Sequence, residues 1–192
     1  MGNPRIVIFA RFPRPGEVKT RLEPALGPEG AARVYRILLE RTLEAARDSG
    51  LACEVRCTGS DRAMFAATFG DWFACAEQGD GDLGTRLARV DGPALVVGSD
   101  LPAISPELLR DAARALDDAP VVLGPASDGG YWLIGFRNTP RFLFEDMAWS
   151  TDRVFAETLR RLRERGIEPA LLPKLSDIDE PSDLADWPEL AG

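Results

Sequence analysis

Ile6-Val7-Ile8-Phe9-Ala10 is an unbroken apolar run, closed abruptly by Phe12-Pro13-Arg14-Pro15-Gly16. A short run of this kind predicts a strand buried on both faces, and such strands belong to parallel sheets covered by helices on each side. Pro93 to Gly98 and Val121 to Gly124 repeat the pattern, and Tyr131 to Phe136 is a further apolar stretch. Leu51 to Thr58, Trp72 to Ala76 and Ala170 to Leu175 are additional strand candidates.

Helical patterns fill the intervals. Gly27-Pro28 leads into a helix from about Glu29 to Asp48, with Ala31, Tyr35, Leu38, Leu39, Thr42 and Ala45 as its buried stripe. Ser49-Gly50 ends it, as glycine past a helix commonly does. Ser60-Asp61 caps a short helix through Phe69, and Thr85 to Val90 forms another. Ser105-Pro106 opens a helix to about Leu116, and Thr151-Asp152 caps one to Arg165. Strands alternating with helices predict an α/β layered fold with a largely parallel sheet, and no linker or repeat divides residues 1–192 into more than one domain.

In such sheets ligands gather beyond the carboxyl ends of the strands. The informative loops all follow a predicted strand: Phe12–Lys19, Ser99–Pro102, Ala126–Gly130 and Ser176–Pro181. The first is basic. From Arg5 to Arg21 there are five cations (Arg5, Arg11, Arg14, Lys19, Arg21) against one acid, Glu17, in a chain of formal charge −8. A strand-loop-helix junction that gathers cations in an anionic protein suits a phosphate or polyphosphate, the alternative being a solvated basic loop. The loop is neither a P-loop, lacking the glycine immediately before Lys19, nor a Gly-x-Gly-x-x-Gly dinucleotide turn.

The other loops carry acids. Asp100 directly follows a buried strand, where a carboxylate can bind a divalent ion or cap a helix. Asp177-Ile178-Asp179 puts two carboxylates on one side of an extended segment, although Asp179 is also placed to cap a helix near Pro181. Carboxylates facing a polyphosphate repel it unless a cation bridges them. Mg²⁺ or Mn²⁺ supplies that bridge, with Arg14, Lys19 and Arg21 neutralising the far side. Asp128-Gly129-Gly130-Tyr131 presents a carboxylate where two glycines let a ligand approach the backbone; the same residues also make an ordinary turn. Trp149 is placed either in packing or beside a sugar or base.

The chain has no histidine, which excludes Ser-His-Asp and Cys-His nucleophile systems, His-Glu-x-x-His zinc sites and a histidine base. Proton transfer falls to carboxylate, Lys, Tyr, Cys or the substrate, and a metal site is made mainly of oxygen. Cys53 and Cys57 on one strand stand roughly 13 Å apart at about 3.3 Å per residue, beyond disulfide reach. With Cys75 they read as reduced packing residues. The acidic balance argues against nucleic acid and anionic membrane as general partners, since both would be repelled. The apolar runs fall short of a membrane span, and Met1-Gly2-Asn3-Pro4 leads straight into the first strand, so the expectation is a cytoplasmic protein with a small-molecule nucleotide substrate. No oligomeric state is legible.

Five segments occur in one order: Pro13–Leu22, Asp82–Leu87, Gly98–Pro102, Gly124–Gly135 and Asp177–Asp179. Together they resemble the nucleotide-diphospho-sugar transferase-like proteins of the GT-A superfamily, in the radical-SAM/selenodomain-associated glycosyltransferase group. Related families are the molybdenum-cofactor and phospholactate nucleotidyltransferases. The resemblance implies a three-layer α/β/α domain with a mixed, mostly parallel central sheet that binds a nucleotide and Mg²⁺ or Mn²⁺. It implies that Lys19 and Arg21 hold phosphate, with Arg14, Gly16 and Gly84 beside them, and that Asp100, Asp177 and Asp179 hold metal. Asp128 and Asp100 are then the catalytic candidates, and Gly129, Gly130, Tyr131 and Trp149 face the acceptor. The expected activity is sugar transfer from a nucleotide-diphospho-sugar. Nucleotidyl transfer with release of pyrophosphate stays open, because Gly98-Ser99-Asp100 has one aspartate where glycosyltransferases usually show Asp-x-Asp. A non-catalytic nucleotide-sensing module is the alternative of another class.

Overall fold

The computed structural model describes residues 2–190. The strands are β1 (Arg5–Arg11), β2 (Cys53–Thr58), β3 (Ala74–Glu77), β4 (Ala94–Val97), β5 (Val121–Pro125), β6 (Tyr131–Phe136) and β7 (Ala170–Leu171). They form one sheet in the order β3-β2-β1-β4-β6-β5-β7. β6 runs antiparallel to β4 and β5, and the remaining pairs are parallel.

Helices cover both faces. Ile6, Ile8 and Ala10 of β1 point into a cluster with α1 (Glu23–Ser49), α2 (Arg62–Phe69) and α4 (Pro106–Asp118). Val7 points the other way, into a cluster with α3 (Leu83–Leu87), α5 (Arg141–Phe144) and α6 (Val154–Glu164). Ile6, Val7 and Ile8 are all 0% exposed, so the unbroken apolar run is explained by two covered faces. The expected three-layer α/β/α fold with a mixed, mostly parallel sheet is the observed one.

A third cluster fixes the end of the chain. Ile178, Leu184 and Leu190 pack on Leu22, Ala31, Val34 and Leu38 of the first 3₁₀ turn and α1. Ile178 is 1% exposed, and burying such a side chain is worth about 1.5–3 kcal/mol. This docking carries the acidic C-terminal segment back to the carboxyl ends of β1 and β4.

Element boundaries moved where a local contact outweighed pattern. The stripe Ala31, Tyr35, Leu38, Leu39, Thr42 and Ala45 is buried as expected, but α1 begins at Glu23 and kinks at Gly27 (φ 69°, ψ 169°). Asp82 caps α3 by accepting from Thr85 N at 2.8 Å, so α3 spans Leu83–Leu87 and not Thr85 to Val90. β3 lies at Ala74–Glu77 and not Trp72 to Ala76. β7 stops at Leu171, before Pro173, and Leu175 makes an isolated bridge to Ala126. Thr151 does not cap α6: its Oγ1 donates to Ala148 O, and the helix starts at Val154 behind Arg153. Asp179 caps nothing, since Glu180 and Asp183 form the capping box of the 3₁₀ segment Pro181–Asp186. Cys53, Cys57 and Cys75 are free, with Cys57 and Cys75 Sγ atoms 3.6 Å apart on neighbouring strands. Among the described residues no helix is long and apolar enough to cross a membrane.

Candidate active site

The sheet order reverses beside β1: the chain goes from β1 to β2 on one side, then returns to β4 on the other. A crevice opens at such a switch point, beyond the carboxyl ends of the two strands. The loop after β1 and Ser99-Asp100 after β4 form its walls, and the segment after β7 closes it.

Tyr35 holds the two walls together from below. Its hydroxyl accepts from Arg11 N at 2.9 Å and shares a 2.8 Å hydrogen bond with Ser99 Oγ. Burial raises the phenol's pKa, so it stays neutral. The helical period marked Tyr35 as core; its polar end, which joins β1 to the β4 loop, was missed. A tyrosine within an apolar stripe is the available signal, because a buried hydroxyl needs a partner.

Lys19 stands at the centre. Its Nζ donates to Asp100 Oδ2 and to Asp179 Oδ1, both at 2.7 Å. Its side chain is 6% exposed, and its backbone is left-handed at φ 47°, a conformation that non-glycine residues hold mostly where surroundings impose it. Burial acts to lower its pKa, but the Asp100 and Asp179 carboxylates prevail and hold it up at about 12. Arg21 is more exposed, with Nη1 3.6 Å from both Asp179 Oδ2 and Glu180 Oε1. Arg11, Thr20 and Tyr35 line the same hollow.

Asp100, Asp177 and Asp179 each offer a carboxylate oxygen, and these atoms lie within 4.8 Å of one another. Ile178 dictates that geometry: it is buried against α1, so the carboxylates on either side project together. Ile178 N also donates to Asp100 O at 3.4 Å, which ties the segment to the β4 loop. Asp177 has its pKa pushed up to about 6, first by burial and then by the charges of Asp100 and Asp179. Three hard oxygen donors with crowded negative charge fit Mg²⁺ or Mn²⁺.

A second hollow meets the first at Asp100. It is a cleft of about 210 Å³, open to solvent, and Asp128, Gly130, Tyr131, Trp149 and Asp177 also line it. Asp128 Oδ1 accepts from Gly130 N at 2.8 Å, which orients the carboxylate. Gly129 supports the turn: at φ 89° it suits only glycine, and a Cβ there would meet Asp152 O at 2.2 Å. Tyr131 and Trp149 pack edge to face with centroids 6.4 Å apart.

The structure therefore brings Lys19, Arg21, Asp100, Asp177 and Asp179 together, with Asp128, Gly130, Tyr131 and Trp149 in the adjoining cleft. Arg14 and Gly16 are not among the residues lining either hollow. Arg14 stacks 5.8 Å from the Phe12 ring centroid, and Gly16 makes a positive-φ turn. Gly84 is buried under Phe144 and Trp149: a Cβ would lie 2.4 Å from Phe144 O and 2.8 Å from Trp149 Nε1. Its observed part is to let Trp149 approach α3.

Residues 42–151 match the model of DUF2064, described as an uncharacterized protein conserved in bacteria. The chain is 30% identical over 176 residues to the 2-phospho-L-lactate guanylyltransferase of Methanopyrus kandleri, covering 89% of this chain and 85% of that one. A crystal structure from Desulfovibrio desulfuricans G20, of a protein provisionally named a nucleotide-diphospho-sugar transferase, superposes with TM-score 0.86 at 30% identity, over 94% of this chain and 84% of that one. The manganese complex of Rv0371c from Mycobacterium tuberculosis H37Rv shares the fold, with TM-score 0.56 and 18% identity over 99% of this chain and 98% of that one.

Proposed function

The chain belongs to the DUF2064 family, and from that premise we propose that it is a nucleotidyltransferase that takes a nucleotide from its triphosphate and releases pyrophosphate. One observation carries the proposal: Lys19, at 2.7 Å from both Asp100 and Asp179, joins a basic loop to an acidic cluster at the sheet's switch point. Cations for phosphate and oxygen donors for a divalent ion thus face one another across a few ångströms.

Lys19 and Arg21 bind and orient the phosphates; Arg14, stacked on Phe12 outside the hollow, is not assigned to them. Asp100, Asp177 and Asp179 would hold Mg²⁺ or Mn²⁺, which when bound supplies charge stabilisation for the departing pyrophosphate. Asp128 positions the acceptor and takes its proton. The acceptor atom bonds to the α-phosphorus as the α–β phosphoanhydride breaks. Positioning and electrostatics carry most of the rate, since the chain has no histidine to serve as a strong base. A cytoplasmic setting with a nucleoside triphosphate as small-molecule substrate belongs to the same proposal.

Sugar transfer was the first expectation from sequence, and the guanylyltransferase relatives support reversing that order. The Desulfovibrio neighbour's name keeps sugar transfer as the second reading. The narrower grouping with radical-SAM-associated glycosyltransferases rests on the sequence motifs alone. Incubation with each nucleoside triphosphate and each common nucleotide-sugar, with Mn²⁺ and a panel of acceptors, separates the two. Pyrophosphate as product is expected; a free nucleoside diphosphate released from a nucleotide-sugar would overturn the proposal.

A further inference from the structure

The cleft beside Asp100 differs in character from the hollow around Lys19. Tyr131, Trp132, Trp149, Leu101 and Val154 give it aromatic and aliphatic walls. Apart from the polar ends of its aromatic residues, its polar side chains are the carboxylates of Asp100, Asp128 and Asp177 and the hydroxyls of Ser150 and Thr151. Among the described residues that line it, none is Lys or Arg. Arg153 and Lys174, on the two flanking segments, are exposed and outside the lining; Arg153 opens on a separate hollow with Arg161. Lys19 also lies outside the lining, its Nζ paired with Asp100 and Asp179 at 2.7 Å.

We infer that the acceptor of this enzyme is a neutral or cationic alcohol or amine with an apolar body, not a phosphate monoester or carboxylate. The inference rests on the nucleotidyl-transfer reading. An anionic acceptor needs guanidinium or ammonium groups to offset its charge, as sites for phosphate regularly provide. Lys19 and a divalent ion together would offset Asp100, Asp177 and Asp179, which leaves Asp128 as the charge facing the acceptor. That carboxylate repels an anion, accepts a hydrogen bond from a hydroxyl, and attracts an ammonium. Tyr131 and Trp149, which pack together on one face of the sheet, suit an apolar or cationic body on that side. In the reaction, the acceptor's O–H or N–H atom bonds to the α-phosphorus, the α–β phosphoanhydride breaks, pyrophosphate leaves and the proton passes to Asp128. The acceptor of the guanylyltransferase relatives is, by their name, 2-phospho-L-lactate, which carries both a phosphate and a carboxylate.

The test is calorimetric and needs no turnover. The base is set first, by which of the four nucleoside triphosphates binds the full chain with Mn²⁺. Two product analogues with that base are then compared: the nucleoside 5′-phosphate ester of 2-aminoethanol, and the nucleoside diphosphate ester of lactate, which keeps the carboxylate. The aminoethanol ester is expected to bind at least tenfold tighter, and Asp128→Asn to narrow the gap at least threefold. Equal binding, or preference for the lactate ester, overturns the acceptor assignment. If none of the four triphosphates binds, nucleotidyl transfer itself fails, a different outcome from a reversed order of the two esters.

Discussion

Tyr35 and Ser99, 64 residues apart, meet in a buried 2.8 Å hydrogen bond, and the same phenol oxygen accepts from Arg11 N at 2.9 Å. One side chain of α1 thereby sets the spacing between the two strands whose ends carry the Lys19 loop and Asp100. Tyr35→Phe removes only the oxygen and leaves the Arg11 N–H and the Ser99 hydroxyl without that partner. Unfolding stability is expected to fall by about 1–3 kcal/mol. Tyr35→Phe combined with Ser99→Ala should cost less than the sum of the two, by about 0.5 kcal/mol or more in a denaturant cycle. Strict additivity would show that the two groups do not act as a pair.

Lys19 is paired with two carboxylates and is the proposed phosphate ligand, so its removal should move two affinities in opposite directions. Lys19→Ala is expected to weaken nucleoside triphosphate binding by about 1.5–3 kcal/mol, the range for charge-assisted hydrogen bonds. The same change leaves Asp100 and Asp179 without their cation, and Mn²⁺ alone should bind more tightly. Calorimetry of each ligand separately checks both. Unchanged nucleotide binding would remove the opening loop from the phosphate site.

Asp177 should make metal-free stability depend on pH in an unusual direction. Its folded pKa, about 6, stands above its ordinary value of 3.8, so the folded protein holds an extra proton between those values. Its stabilising contribution is therefore fully present below about 3.8 and is lost as pH rises through about 6. At pH 7.5 the ionised group is a liability, on the order of 1 kcal/mol after discounting for solvent screening. Asp177→Asn should accordingly raise the metal-free melting temperature at that pH by about 2–4 °C, a typical shift for a chain of this size. It should also abolish the thermal shift given by Mn²⁺. Wild-type affinity for Mn²⁺ should fall as pH drops below about 6. A destabilised Asp177→Asn protein that still responds to Mn²⁺ would count against both roles.

Ile178 is the hinge between packing and chemistry, at 1% exposure between two candidate metal ligands. Ile178→Ala is expected to cost about 2–5 kcal/mol in stability. It should also weaken Mn²⁺ binding, because the flanking carboxylates lose the anchor that aims them. Ile178→Val, at about 0.5–1.5 kcal/mol, should keep metal binding. If Ile178→Ala bound Mn²⁺ as well as wild type, the acidic pair would be positioned by something other than this packing.

The sequence by itself determined the layered α/β class, the positions of the loops that carry chemistry, and an oxygen-based repertoire without histidine. Each is written in a short window: continuous apolar runs read as doubly covered strands, and prolines and glycines mark where they stop. Tertiary structure decided which loops meet. Lys19 reaches Asp100 across 81 residues and Asp179 across 160, and those contacts depend on strand order and on the docking of Ile178 and Leu184 against α1. The polar task of Tyr35, the packing of Gly84 under Trp149, and the acidic, aromatic cleft beside Asp100 arise the same way. Local periodicity fixes the face on which a side chain lies, whereas its partner is fixed by how distant faces bury their apolar surface together.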